Sequence, residues 1–322
     1  SLEYFRGDTL GWTHIEMTSP DLNGGARGLF MGGSNEPDPS ATYDIIEYIT
    51  FPTLGNGTDF GNLSGTRQEG GAFASSTRGV YFGGDPGINT IEYVTISSTG
   101  NAINFGDMSS NQYRRMNGMG CGNQTRGLFS GGWTGSATSN HIDYVTIAQT
   151  GNSVDFGDLS VNRESGSCCA SQTRGIIHGG RNQPANAALD SIDYVTISTL
   201  GDAADFGNLT DGRFAMQSCS NSIRGITFAG KVPSNSTIVD FITMATLGDS
   251  TDFGDTIGAM EYPLGAVASP TRAVCGGGIV SPSNINTIQY VEIMSAGNTI
   301  DFGDLTGAKS EASGCSNSHG GL

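Results

Sequence analysis

The feature that most constrains this chain is a segment of about 50 residues that occurs six times. Arg126-Gly127-Leu128-Phe129-Ser130-Gly131-Gly132 recurs in recognisable form from Arg27, Arg78, Arg174, Arg224 and Arg272. The intervals between these arginines are 51, 48, 48, 50 and 48 residues. Each copy continues into an apolar run centred on an aromatic residue (Tyr48, Tyr93, Tyr144, Tyr194, Phe241, Tyr290). Each then reaches the Phe of an Asp-Phe-Gly-Asp-type turn (Phe60, Phe105, Phe156, Phe206, Phe253, Phe302). The step from aromatic to Phe is 12 residues in all six copies. A fixed period of this size marks a repeat architecture, in which a unit that cannot bury its own apolar faces buries them against its neighbours.

Each copy parses into four short strands. In the third copy, strand b is expected over 127–130, strand c over 142–147, strand d over 153–159 and strand a over 165–170. Apolar residues fall on both faces of strand c, with Ile142 and Tyr144 on one and Val145 and Ile147 on the other. That pattern suits a sheet buried between two others. Four antiparallel strands per unit and six units give an all-β, six-bladed β-propeller. Residues 27–322 form the propeller, with repeats starting at 27, 78, 126, 174, 224 and 272, and residues 1–26 an N-terminal extension or attachment segment. Closure is also legible. The segment Cys315-Ser316-Asn317-Ser318 repeats Cys219-Ser220-Asn221-Ser222 but has no strand b after it, while the first copy starts at Arg27 without a strand a. The C-terminal strand is therefore expected to complete the first blade, which removes exposed sheet edges.

Composition agrees with this reading and narrows the partners. Fifty glycines exclude a helical bundle, and the repeated apolar runs exclude a disordered chain. A net charge of −16 opposes binding to nucleic acid and to an anionic membrane surface. No apolar run approaches the length of a membrane span. The segment from Ser1 to Arg6 has no signal-like apolar stretch. The absence of an initiator Met is as expected for a processed chain or a piece of a longer one.

The double glycine ending strand b, the aromatics on strands c and d (Gly131-Gly132, Tyr144, Phe156) and a basic residue in the following link (Arg163, with Arg67, Arg213 and Lys309 at matching places) resemble the kelch family. The resemblance covers residues 27–322. It departs from the family on strand d, where kelch blades usually have Trp and this chain has Phe throughout. The fuller wording, Arg-Gly-Leu-Phe-x-Gly-Gly…Ile-Asp-Tyr-Val-Thr-Ile…Thr-Asp-Phe-Gly-Asp-Leu, is similar to kelch-like virion and tail proteins of marine bacteriophages. That likeness implies a virion location and a structural or host-recognition role. Bacterial surface proteins are the alternative, with an extracellular or cell-surface location.

No catalytic constellation stands out. His14, His141, His178 and His319 fall at unrelated places in the repeat. The paired His, Tyr and Tyr–Cys link of a kelch-type copper oxidase cannot be picked out, and the Asp-box of sialidases is missing. The turn acids Asp155 and Asp158 read either as calcium ligands or as caps bonding nearby N–H groups. The second reading is preferred, because the matching positions vary to Asn62, Asn104 and Asn208. The repeated Arg78, Arg126, Arg174 and Arg224 read either as a basic ring for an anion or as corner pieces bonding backbone carbonyls or a repeated Asp; again the structural reading is preferred. Cys121, Cys168, Cys169, Cys219 and Cys315 lie on or beside strand a, where small apolar residues should ring the channel. A disulfide scaffold is not expected in so large a core, and no metal or cofactor is assigned.

Spacing also separates the two faces. From the second Gly to the aromatic the count is 15, 9, 12, 14, 11 and 12, and from Phe to the next marker 18, 21, 18, 18, 19 and 18. Because strands alternate in direction, all this variation falls on the b–c and d–a loops of one face. Loops that vary on a rigid frame are where recognition concentrates, although neutral drift gives the same pattern. The candidate binding residues on that face are Tyr43, Tyr113, Arg114, Arg115, Trp133, Arg181, Lys231 and Tyr262, since aromatic and Arg side chains anchor interfaces. The expected function is a non-enzymatic binding or structural module for a protein or cell-surface glycan, or for other virion proteins. The rivals are a kelch-type enzyme (a metal-dependent oxidase or a glycan-active enzyme) and a bacterial adhesin.

Overall fold

A computed structural model describes residues 2–5, 12–15, 26–35, 38–109, 119–183 and 185–322. Six antiparallel sheets of four strands form a six-bladed β-propeller. In blade 3 the strands are Met119–Gly122 (a), Arg126–Ser130 (b), His141–Thr146 (c) and Val154–Asp158 (d). Strand a is thus the segment that precedes the marker arginine. The segment Ser167–Ala170, expected above as strand a of the third copy, pairs with Arg174–His178 in blade 4, because the three-residue a–b turn joins it to the strand that follows.

Blade 1 is built from both ends of the ring, as expected. Ser313–Ser316 pairs with Arg27–Met31 in the register Gly28↔Ser316 to Met31↔Ser313, and Ile45–Thr50 and Thr58–Asn62 complete the sheet. Leu2–Phe5 and Trp12–Ile15 pair with each other as a separate two-stranded ribbon.

The core follows from the apolar pattern on strand c. Ile142 and Tyr144 pack into the cluster shared by blades 3 and 4, while Val145 and Ile147 pack into that shared by blades 2 and 3. Six such clusters fill the six interfaces, including Phe30, Val267, Val274 and Phe302 between blades 6 and 1. Within each blade the strand-c aromatic meets the strand-d Phe edge to face, as in Tyr144–Phe156 at 6.0 Å.

The Asp-Phe-Gly-Asp segment is strand d itself and not a turn. Gly157 has φ of +147° there, and a Cβ on it would stand 2.5 Å from the Gly201 carbonyl in the turn of the next blade. Glycine is required at that close approach, and the strand-c register shifts opposite it.

Candidate binding face

Two of the repeated motifs prove to be joints between blades. Each marker arginine lies over its own strand-c aromatic, as with Arg126 at 4.8 Å from the Tyr144 ring. Its guanidinium donates to a turn carbonyl of the next blade: Arg78 to Ile147 (2.8 Å), Arg126 to Ile197 (2.8 Å) and Arg272 across the closure to Phe51 (2.7 Å). The expected carbonyl bonds are present, but they join neighbouring blades and do not brace the arginine's own corner. These guanidiniums are engaged on both sides.

The basic link residues form the second joint. Arg67 pairs with Glu92 (2.9 Å), Arg163 with Asp193 (3.0 Å), Lys309 with Glu47 (2.6 Å), and Arg213 with Asp240, and all eight side chains are at least 96% buried. The acid stands one residue before the strand-c aromatic of the following blade. The carbonyl of the same link residue accepts from the double glycine of the preceding blade, as Gly132 N–H to Arg163 O (2.8 Å). Gly131 makes that approach possible: its φ is +54°, and a Cβ would meet the Arg163 carbonyl at 2.5 Å. In the fifth link the pair is replaced as a unit. Met260 stands where the cation would be, seven residues after Phe253, and its sulfur lies 3.8 Å from the amide of Gln289. The spacing of the acids was readable in the sequence; their pairing was not, since partners lie 25 to 30 residues apart in three pairs and 262 apart across the closure.

The opposite ends of the strands differ in kind. On the a–b and c–d side the turns repeat closely: Asn152 Oδ1 accepts from Asp107 N–H (3.0 Å), and Asp202 Oδ1 from Asp158 N–H (3.1 Å). On the other side the b–c loops form small projections, including Arg181–Asn182 with Ala187–Ala188 and Ile279–Val280 with Ser283–Asn284. Lys231–Val232 adds to the extended strand c of blade 5, Ser234–Thr243.

The candidate residues divide among these projections. Trp133 is half-buried and bridges Thr138 across a short loop. Tyr43 stands below Lys309, whose ammonium is 5.9 Å from its ring. Arg181 pairs with Glu164 at 2.8 Å and stacks on Phe214 at 4.9 Å, and Lys231 pairs with Glu261 at 2.8 Å. Tyr262 is in a left-handed conformation, φ +47°; burial pushes its hydroxyl pKa up, against the opposing pull of Arg181. Tyr113, Arg114 and Arg115 lie outside the described residues. In the sequence Arg115 stands eleven residues before Arg126, the offset Arg67, Arg163 and Arg213 have from their own markers.

Arg181 and Tyr262 converge on the axis, where the sequence offered no signal. Glu69, Ser165, Ala215, Tyr262 and Glu311 all adopt φ between +47° and +59°. Their backbones form a chain of hydrogen bonds around the mouth: Ala215 N–H to Ser165 O (2.7 Å), Tyr262 to Ala215 (2.9 Å), Glu311 to Tyr262 (3.5 Å) and Glu69 to Glu311 (2.6 Å). A cavity of about 30 Å³ remains inside this ring. Below it the six strands a surround a channel of about 40 Å³ lined by Cys121, Cys168, Cys169, Cys219 and Cys315. At the far end the tail after Ser316 crosses the axis. The His319 Nε2–H donates to Ala74 O (2.8 Å), and Gly321 N–H donates to Nδ1 (3.0 Å). Only the neutral ring satisfies both bonds, and burial holds the His319 pKa below its ordinary value.

All six cysteines are free and buried. Burial also pushes the thiols of Cys168, Cys169 and Cys219 well up, so they react slowly while folded. A chromogenic thiol reagent is expected to find few groups in the native protein within minutes and close to six in denaturant without reductant. A denatured count near zero would contradict the free-thiol assignment. No protein-family model matches the sequence, and no curated protein matches it.

Proposed function

We propose that this propeller is a kelch-like, non-enzymatic recognition or structural module carried on a phage particle, with the b–c and d–a loops as its binding face. The observation that carries this reading is the contrast between the faces. One presents the same c–d turn six times and the same a–b turn five times, while the other holds every change of length and the small hairpins that project from it. Hairpins that order a loop before contact reduce the entropy lost on binding. The channel is narrow and crossed at one end by the C-terminal tail, which favours the loops over the axis as the place of contact. The repeated wording of the blades, similar to phage virion and tail proteins, supports the particle; an acidic surface suits a protein or glycan partner and opposes nucleic acid.

Binding energy should sit in a few aromatic or Arg anchors, each worth about 2 kcal/mol or more. Trp133 is the leading one, because no other copy has an aromatic directly after the double glycine. Labelled protein can be incubated with intact host bacteria or a glycan array and the retained signal read. Replacing Trp133, Tyr113 and Arg114 together by Ala is expected to abolish retention, and Trp133→Ala alone to leave the melting temperature nearly unchanged. Gln149→Ala, on the uniform face, should leave retention intact. Retention that survives the triple change but fails after changes on the uniform face would reverse the assignment.

A further inference from the structure

Between blades 4 and 5 the Cys169 thiol touches two further metal-binding side chains in the core, an imidazole and a thioether. The Cys169 sulfur lies 3.3 Å from His178 Nε2 and 4.0 Å from the Met244 sulfur. Neither Cys169 nor Met244 is more than 3% exposed, and His178 is fully buried. We propose that Cys169, His178 and Met244 form a binding site for a single soft monovalent cation, Cu(I).

The repeat itself shows how unusual this convergence is. The place of His178, four residues after the marker arginine, holds Met31, Phe82, Ser130, Phe228 and Gly276 in the other copies. The place of Met244, three residues after the strand-c aromatic, holds Ile in four copies and Phe51 in the fifth. Packing therefore calls for an apolar side chain at the second place and is met at the first without a ring nitrogen in every other copy. Among the described residues, a thiol touches both an imidazole and a thioether at this interface alone.

Geometry and charge select the ion. Metal–sulfur and metal–nitrogen bonds of about 2.3 and 2.0 Å place the donors of a trigonal site about 3.7–4.0 Å apart; the sulfur pair stands at 4.0 Å and the sulfur–imidazole pair at 3.3 Å, so the ion enters as the imidazole and the thioether swing to face one point beside the Cys169 sulfur. Cysteine, methionine and imidazole donors favour Cu(I) over harder ions. One thiolate neutralises one positive charge. A divalent ion would leave a net charge buried near Arg163 and Arg213, whose positive charges already oppose a charged His178.

The surrounding hydrogen bonds fit a ligand imidazole. His178 Nδ1 is 3.2 Å from the Thr227 hydroxyl, which is 2.8 Å from Ser218, which is 2.5 Å from Ser167. Donation from Nδ1–H to Thr227 leaves the Nε2 lone pair directed at the sulfur, the orienting role that outer groups have in metal sites. Burial holds the His178 pKa down to about 3, so the ring stays neutral. Cys169 also lines the axial channel, which gives the ion a route past the tail. On binding, the Cys169 S–H bond breaks and its proton leaves to solvent. The thiolate, Nε2 and the thioether then donate electron pairs to a copper that stays Cu(I).

The test is a titration of the reduced full-length chain with Cu(I), anaerobically, against a chromophoric Cu(I) chelator. One equivalent should bind, with affinity rising about tenfold per pH unit as one proton is released, and X-ray absorption should show two sulfurs and one nitrogen. His178→Phe and Met244→Ile restore residues that other copies carry, so both should fold and each should weaken binding by at least tenfold. Cys275→Val, remote from the set, should change nothing. Binding that is undiminished in both variants, a preference for Zn(II), an all-sulfur shell, or no retained copper would overturn the proposal. Loss of copper with intact attachment to host cells would separate this site from the loop-face reading.

Discussion

Removal of residues 309–322 is expected to leave a chain that aggregates or loses most of its thermal stability. The deletion takes away strand a of blade 1, exposing the hydrogen-bonding edge of Arg27–Met31. It opens the ring beside the cluster of Phe30, Val267 and Phe302. It also leaves Glu47 buried without Lys309, whose ammonium is 2.6 Å from the carboxylate. Breaking such a buried pair from one side costs about 3–5 kcal/mol, against a total stability of about 5–15 kcal/mol for a typical domain. Size-exclusion chromatography and calorimetry read the outcome. Removing only residues 317–322, which deletes the crossing tail and spares the strand, should cost far less. A chain lacking 309–322 that is as stable and monomeric as the whole would refute closure by the C-terminal strand.

The second large effect is expected from Arg163→Met. Arg163 is fully buried and donates to Asp193 (3.0 Å), to the Ser191 carbonyl (3.0 Å) and to the Gly179 carbonyl (3.1 Å). Its loss leaves the carboxylate of Asp193 in the core with hydrogen bonds from Ser160 and no cation. A cost of about 3–5 kcal/mol follows, or roughly 5–12 °C in melting temperature for a chain of this size. The double change Arg163→Met with Asp193→Gln copies the Met260–Gln289 pair of the fifth link and should restore most of the loss. Failure of the double variant to recover would mean that the guanidinium acts through its carbonyl bonds and not through charge pairing.

Much of this fold was legible because its repeat is nearly exact. Twelve residues from Tyr144 to Phe156, repeated without change, define a hairpin, and apolar residues on both sides of strand c announce a sheet buried on both faces. The orphan strand at Cys315 was readable for the same reason: its twin at Cys219 has a partner in sequence. What escaped were relations between copies. Nothing local says that Arg126 reaches the carbonyl of Ile197, or that Asp193 belongs to Arg163, because each partner stands in the next blade. The turn-like wording of Asp-Phe-Gly-Asp misled for a physical reason: Gly157 is there to admit the neighbouring Gly201, not to reverse the chain. The face carrying the length variation followed from counting alone. The placing of Arg181 and Tyr262 at the axis did not, since it depends on left-handed link residues such as Ser165 and Ala215 that carry no glycine to mark them.

The seam of the ring also fixes how a tethered propeller would be presented. Strand b of blade 1 begins at Arg27 on the side of the uniform turns, and its partner strand ends at Ser316 on that same side, with Arg27 N–H bonded to Asn317 Oδ1 (2.8 Å). Arg27 and Ser316 therefore meet on the face opposite the projecting hairpins, and the chain after Ser316 runs on across the axis of that face. A partner that gripped this seam would hold the disc by its back and turn Trp133 and its neighbours outward. A pull applied through Arg27 alone enters a strand flanked on both sides, and the whole sheet shares the load. A pull that separates Arg27 from Ser316 would instead peel the seam one residue pair at a time, the weakest direction for an antiparallel joint.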